Sequence, residues 1–436
     1  MHVCLEKFIS PEQTIAVAVS GGSDSVALLH YMLSQSKKYS FRVIALNVEH
    51  GIRGSASIDD SIFVKDLCEK WGVELVSYAV NCPDYAKKEK LTLEEGARKL
   101  RYECFYDAIN NGKCDKVATA HHMRDNAESV LFNLFRGTSL SGVSGITPEY
   151  DNKIIRPFLT ISKQEIDEYI AQNNLEYVTD QTNFDNDYAR NYIRQNVLPE
   201  IRKVFPEFEK SIWRFSTIAR EQNEYLDKLA RERLIIDGDA VKIALPIDNV
   251  ILSKASIFAL KELGVKKDWT KAHIDAIEQL QSSLPGTKID LLDGVVAIKE
   301  YSEIVLYRQK ELCEKALPFA LGKLELNGYK LEIKKVAYPK NLKDAFYADL
   351  SKIPTNAVIR FRCDGDLFTK FGGGTKPLAE YLTDVKIPLR MRNFIPVIAD
   401  GNDVLAIIGV AISQKIKVDE NTTQVIEILG VTIKER

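Results

Sequence analysis

Along the first third of the chain, short apolar runs without alternation trade places with amphipathic stretches. Ile15–Val19, Val43–Val48, Glu74–Val80 and Lys116–Ala120 read as strands. Between and after them, Asp24–Leu33, Ile58–Trp71, Glu94–Asn110 and Arg124–Arg136 carry apolar positions at helical spacing. Strands that are apolar on both faces, each followed by a helix, predict a parallel sheet covered on both sides. The expected fold class is α/β: a doubly wound parallel sheet with its ligand site beyond the carboxyl ends of the strands.

Further on the rhythm changes. Ser162-Lys163-Gln164-Glu165 has the spacing of a capping box and predicts a helix start. Asp180–Tyr188 is rich in Asp, Asn and Thr and reads as loop, and a helical pattern then runs from about Glu207 to Leu234. Residues 211–315 read as mainly helical, with Ile257–Leu263 and Lys271–Leu280 the clearest helices and two short strand-like runs at the end. From 316 on, β-rich runs such as Ala357–Phe361 and Val404–Val410 surround one helix near Leu378–Thr383. The expected division is an N-terminal α/β domain over 1–210, a helical central domain over 211–315 and a small α+β domain over 316–436.

Composition narrows the function classes. At 436 residues, 45% hydrophobic and 28% charged, the chain is globular and too long for one core. A net charge of -2 means that any nucleic-acid contact rests on local patches. Seven cysteines include no Cys-x-x-Cys pair, so neither a disulfide framework nor a zinc knuckle is expected, and a reducing cytoplasm suits the chain. The opening residues Met1–Glu6 show no charged region leading into an apolar one, and no apolar run is long enough for a span; no membrane role is expected.

The strongest chemical signal is Ser20-Gly21-Gly22-Ser23-Asp24-Ser25, set between the first strand and its helix. Two glycines let the backbone turn tightly, and the amides at the helix start together with the Ser hydroxyls can hold phosphate oxygens. Asp24 stands where a carboxylate could hold Mg2+ against those phosphates. Gly372-Gly373-Gly374-Thr375-Lys376 is followed by Pro377 and reads as a loop, not as a Walker turn. His121 and Asp125 are spaced i, i+4, but a third ligand for zinc is missing.

The Ser-Gly-Gly-x-Asp-Ser turn resembles the PP-loop of ATP pyrophosphatases. Other stretches follow in order: Asn47-Val48-Glu49-His50-Gly51-Ile52-Arg53, Glu95-Gly96-Ala97-Arg98 with Arg101-Tyr102, Ala118 through Ser129, Phe135-Arg136-Gly137, Ile155-Arg156-Pro157-Phe158, and Asp180-Gln181-Thr182-Asn183 with Arg190 to Arg194. Together they resemble the tRNA(Ile)-lysidine synthetase family almost continuously over the first 200 residues. Arg360-Phe361-Arg362, Gly365-Asp366 and Pro388 to Arg392 are similar to its C-terminal domain. Departures are small: Glu49 where Asn is usual, Gly96 for Ala, Asn126 for Gln and Ser129 for Thr.

The resemblance implies an ATP-dependent ligase that joins L-lysine to the wobble cytidine of a CAU-anticodon tRNA(Ile). It implies that ATP is held by Ser20, Gly21, Gly22, Ser23, Asp24, Ser25, His50 and His121, with Mg2+ on Asp24. Asp24, Arg98 and Asp125 are the expected catalytic residues, and Asp125, Glu128 and Arg190 the expected lysine contacts. Residues 190–233 hold ten Lys/Arg against seven acids and residues 360–392 seven against four, a net +3 each. Arg194, Arg360, Arg362, Arg390 and Arg392 are the expected tRNA contacts. A PP-loop tRNA thiolase is the alternative enzyme, although it would need a cysteine pair. An inactive RNA-binding module is the alternative outside enzymes. The oligomeric state stays open, a homodimer included.

Overall fold

The computed structural model describes the chain except for residues 53–54, 179–187, 266–268, 310–315, 327–328, 340, 343–345 and 433–436. Arg53 and the motif Asp180–Asn183 therefore lie outside the described residues. The rest falls into two compact units, Met1–Tyr225 and Leu226–Arg436.

The first unit is built on strands β1 (Thr14–Ala18), β2 (Arg42–Glu49), β3 (Leu75–Ala79), β4 (Lys116–Ala118), β5 (Glu149–Tyr150) and β6 (Ile154–Ile155). They lie in the order β3-β2-β1-β4-β6-β5, parallel throughout except for β5 against β6. From β1 the chain winds outward to β3, then returns on the other side of β1 as β4. That reversal opens a crevice at the carboxyl ends of β1 and β4, where doubly wound sheets take their ligands.

Helices α1 (Ser23–Ser36), α2 (Ser55–Trp71), α3 (Cys82–Glu89), α4 (Leu93–Asn110), α5 (Met123–Phe135), α6 (Leu140–Val143), α7 (Lys163–Gln172), α8 (Tyr188–Tyr192), α9 (Leu198–Val204) and α10 (Phe208–Arg231) complete this unit, α10 running on into the second. Ile15 and Val17 of β1 pack with Leu28, Leu29 and Met32 of α1 and Ile166 of α7. Ala16, between them in sequence, packs on the opposite face with Phe105 and Ala108 of α4. Both faces are dry, which is why the strand reads as an unbroken apolar run; each buried Leu or Phe contributes about 1.5–3 kcal/mol. Two capping boxes fix the helix starts that matter for the site. Thr92 and Glu95 open α4, and Ser162 and Glu165 open α7. A Cβ on Gly96 would come within 3.1 Å of the Ala86 Cβ, so glycine lets α4 lie close on α3.

In the second unit the centre of the chain, expected to be mainly helical with two short strand-like runs at its end, carries two helices and a five-stranded sheet among the described residues. Strands β7 (Leu234–Asp237), β8 (Ala240–Ala244), β9 (Lys288–Asp290), β10 (Val295–Lys299) and β11 (Glu303–Arg308) form an antiparallel sheet in the order β7-β8-β11-β10-β9. Helices α11 (Asn249–Glu262) and α12 (Lys271–Leu280) share its core through Leu252, Ala259, Ile274 and Ile277.

The remainder comprises β12 (Leu317–Pro318), β13 (Gly322–Leu326), β14 (Tyr329–Val336), β15 (Tyr347–Asp349), β16 (Val358–Phe361), β17 (Leu367–Thr369), β18 (Thr375–Pro377), α13 (Leu378–Asp384), α14 (Leu389–Arg392), β19 (Pro396–Asp400), β20 (Asp403–Ile407), β21 (Ala411–Ile412) and β22 (Val425–Thr432). They make a seven-stranded and a four-stranded sheet. Ile359, Ile398 and Leu405 of the larger meet Leu331, Ile333, Ile426 and Ile428 of the smaller in one core. The glycine run Gly372–Gly374 is the turn of the β17–β18 hairpin. Among the described residues no helix is long and apolar enough to cross a membrane.

Candidate active site

The loop between β1 and α1 turns through Gly21, whose φ of 86° is a conformation that favours glycine. Ser25 braces it: its hydroxyl donates to the Gly22 carbonyl at 2.8 Å and accepts from the Ser20 amide at 3.2 Å. The Val178 amide donates to the Gly21 carbonyl at 3.0 Å and holds the outer edge. Among the described residues, the amides of Gly21, Gly22, Ser23 and Asp24 find no carbonyl or side-chain acceptor. They form a set of donors at the start of a fourteen-residue helix.

This turn forms one wall of a cleft of about 690 Å³ at the carboxyl ends of β1, β2 and β4. The cleft gathers most of the residues expected from the sequence: Ser20, Gly22, Ser23, Asp24, Ser25, His50, Arg98, His121 and Asp125 all line it. Arg101, Asn47, Thr119 and Tyr177 join them. None of the described cysteines does.

Asp24 is the most constrained carboxylate in the cleft. Its Oδ1 lies 2.6 Å from Lys163 Nζ and its Oδ2 3.5 Å from His122 Nε2. Burial pushes its carboxyl up, but the hydrogen bonds and charges of His122 and Lys163 outweigh this and hold it at about 2. Burial pushes His122 down, and Asp24 and Asp125 more than reverse that, leaving it above its ordinary value. The other two histidines go the opposite way. Burial and the charge of Arg101 bring His50 down to about 4, and burial lowers His121. Both are neutral at pH 7. His121 Nδ1 is within 2.9 Å of Thr119 Oγ1, whereas the buried Nδ1 of His50 has no hydrogen-bond partner among the described residues.

Asp125 sits in the first turn of α5 and lines the cleft; its Oδ2 accepts from the His122 amide at 2.9 Å and its Oδ1 is 3.7 Å from Arg194. Arg98 lies over the Tyr102 ring at 5.3 Å. Among the described residues no three His, Cys, Asp or Glu side chains gather into a metal cage. Asp24 does fit a hard cation that takes its remaining ligands from phosphate and water.

Several expected contacts lie elsewhere. Glu128 does not line the cleft. It is buried, and both its oxygens accept from Arg194, at 2.8 and 2.6 Å. In this structure the carboxylate anchors Arg194 through a two-point, charge-assisted contact. Arg190 donates to Ser129 at 3.1 Å and stacks on Phe132.

In the second unit, Arg360 makes two hydrogen bonds to the buried Asp366, at 3.0 and 2.7 Å, and two more to the Phe361 and Gly401 carbonyls. Arg390 is one-tenth exposed between Glu300 and Asp237. Both arginines are paired with acids of the same unit. Arg362 meets Asn393 and Asp364. Arg392 donates to the Ile387 carbonyl and the Thr383 hydroxyl. Lys163 is known from the sequence only as part of a capping box, and its contact with Asp24 is what singles it out. Arg101 and Thr119 stand inside the motif stretches without an expected role, and the cleft brings them in.

Known proteins share this arrangement of sequence. Residues 2–201 match the PP-loop domain and residues 357–428 the TilS substrate C-terminal domain. A tRNA(Ile)-lysidine synthase of Caldanaerobacter subterraneus subsp. tengcongensis is 31% identical, over 97% of this chain and 95% of its own. The tRNA(Ile)-lysidine synthase of Clostridium acetobutylicum is 32% identical, over 96% of each. Among solved structures, the U34-tRNA thiolase NcsA from Methanococcus maripaludis aligns with 49% of this chain and 74% of its own, at 21% identity and a TM-score of 0.43. Matched to curated synthases from end to end at this identity, the chain belongs to the tRNA(Ile)-lysidine synthase family.

Proposed function

We propose that this protein is the ATP-dependent ligase that attaches L-lysine to C2 of the wobble cytidine in the CAU anticodon of tRNA(Ile). The product, lysidine, changes codon reading from AUG to AUA. The observation that carries the reading at the site is the turn Gly21–Asp24, whose amides find no acceptor among the described residues, beside a cleft lined by Gly22, Ser23, Asp24, Arg98 and Asp125.

The reaction needs a poor leaving group made good. In the first step the cytosine O2 attacks the α-phosphorus of ATP. An O–P bond forms, the bond to the bridging oxygen breaks, and pyrophosphate leaves with the electron pair. The amides of the turn, with Ser20 and Ser23, would hold the phosphate oxygens, and Arg98 would face the charge that builds on them. Mg2+, held on Asp24, would add charge neutralisation there. The neutral rings of His50 and His121, both in the lining, suit the nucleoside end.

In the second step the lysine ε-amine adds at C2, the C2–O bond breaks and AMP departs. The amine must be neutral, against an ordinary pKa of about 10.4. Asp125, in the lining of the cleft, would accept the proton. Arg190, beside Ser129, would meet the lysine carboxylate. Catalysis is assigned to 1–210, tRNA contact to 211–315 and tRNA recognition to 316–436, with Arg362 and Arg392 as proposed phosphate contacts.

The test is incubation with ATP, radiolabelled lysine and CAU-anticodon tRNA. Label should enter the tRNA only when ATP is present. Bound tRNA without label would leave a non-catalytic RNA-binding protein.

A further inference from the structure

Lys163 is the first residue of α7, placed there by the capping box of Ser162 and Glu165. From that position its ammonium reaches across to the phosphate turn. Nζ is 2.6 Å from Asp24 Oδ1, 3.1 Å from Ser23 Oγ and 2.9 Å from Asp167 Oδ1. An ammonium has three donors, and here all three are engaged. Two of its three partners, Ser23 and Asp24, are the first residues of α1 and line the cleft. The side chain is a quarter exposed, so the pair is open to whatever enters.

We infer that Lys163 is a mobile cation of the nucleotide site: it neutralises Asp24 in the free enzyme and passes its ammonium to the leaving pyrophosphate when ATP binds. The inference rests on the ligase reading above. A triphosphate held by the amides of Gly21 to Asp24 brings several negative charges to within reach of a flexible four-carbon stem. Asp24 is then released for a divalent cation, which would otherwise share a carboxylate oxygen with the ammonium at close range. Lys163 thereby keeps the site electrostatically balanced when empty and adds positive charge where the transition state gathers negative charge.

The first experiment measures pyrophosphate release in a single turnover, with tRNA present, for wild type, Lys163→Met and Lys163→Arg. Wild-type release is the test of the ligase reading. With that release in hand, Lys163→Met should slow it about 100-fold while Lys163→Arg recovers at least a tenth of the wild-type rate. A methionine variant within threefold of wild type overturns the inference and leaves the ligase reading intact. The second experiment needs no variant in the reaction. In protein carrying 15Nζ-lysine, the Lys163 ammonium signal, assigned by its loss in Lys163→Met or Lys163→Arg, should shift with a non-hydrolysable ATP analogue and not with adenosine. A signal that ignores the analogue means that Lys163 only positions Asp24, and the inference fails.

Discussion

Asp24 and Asp366 each hold a cation closely, Lys163 at 2.6 Å in the first unit and Arg360 at 2.7 Å in the second. The surroundings differ. The Asp366 side chain is fully covered and Arg360 has two backbone carbonyls as further partners. Asp24 is one-third exposed at the wall of a cleft, beside four amides that find no acceptor among the described residues. A sealed pair has no competitor for its partners and can only stabilise the fold. A pair at a cleft wall can exchange a partner for a ligand. In the sequence Asp24 stands out through the glycine turn and Arg360 through a basic stretch, while Lys163 is marked only as part of a capping box; exposure is what separates the two pairs in the structure.

The comparison can be broken from either side. The largest effect is expected at Asp24. Asp24→Ala should lower pyrophosphate release about 1000-fold while tRNA retention on filters and the melting midpoint hold; near-wild-type turnover would remove the carboxylate from the mechanism. At the sealed pair the pattern inverts. Asp366→Ala leaves a largely buried guanidinium without its counter-ion and should lower unfolding free energy by about 3–5 kcal/mol in urea titration. A loss under about 1 kcal/mol would mean that Arg360 finds water or another partner. Next comes Asp125→Asn, which separates the two steps. Pyrophosphate release should persist, and transfer of lysine should fall about 100-fold in a quench-flow assay. Equal losses in both steps would place Asp125 in adenylation.

Smaller effects test the arginines and histidines. Arg392→Ala should reduce the salt slope of tRNA binding by about one, whereas an unchanged slope would return Arg392 to a structural role. His50 takes up a proton near 6.5 in the unfolded chain but only near 4 when folded. Stability from its neutral burial is therefore full above about 6.5 and is lost as pH falls toward 4. Melting curves should show that acid-side slope, and His50→Gln should flatten it.

The α/β sheet and its turn are legible in the sequence because both depend on local patterns. A strand buried on two faces must be apolar at successive positions, as Ile15, Ala16 and Val17 are. A backbone cradle needs glycines at fixed places in a strand-to-helix turn, as at Gly21 and Gly22. The central sheet is harder to read. β7 lies at the edge with its side chains mostly exposed, so Leu234–Asp237 carries no alternation to separate it from the end of α10.

What the sequence by itself determined is the class of fold, the phosphate turn and the family's chemistry, since each is written in residues near one another along the chain. Partnership was decided only in three dimensions. Glu128 is claimed by a residue 66 positions away, and Asp24 by one 139 positions away. Whether a charge faces a ligand or a counter-ion depends on which distant side chain the packing brings beside it, and on whether water can reach the pair.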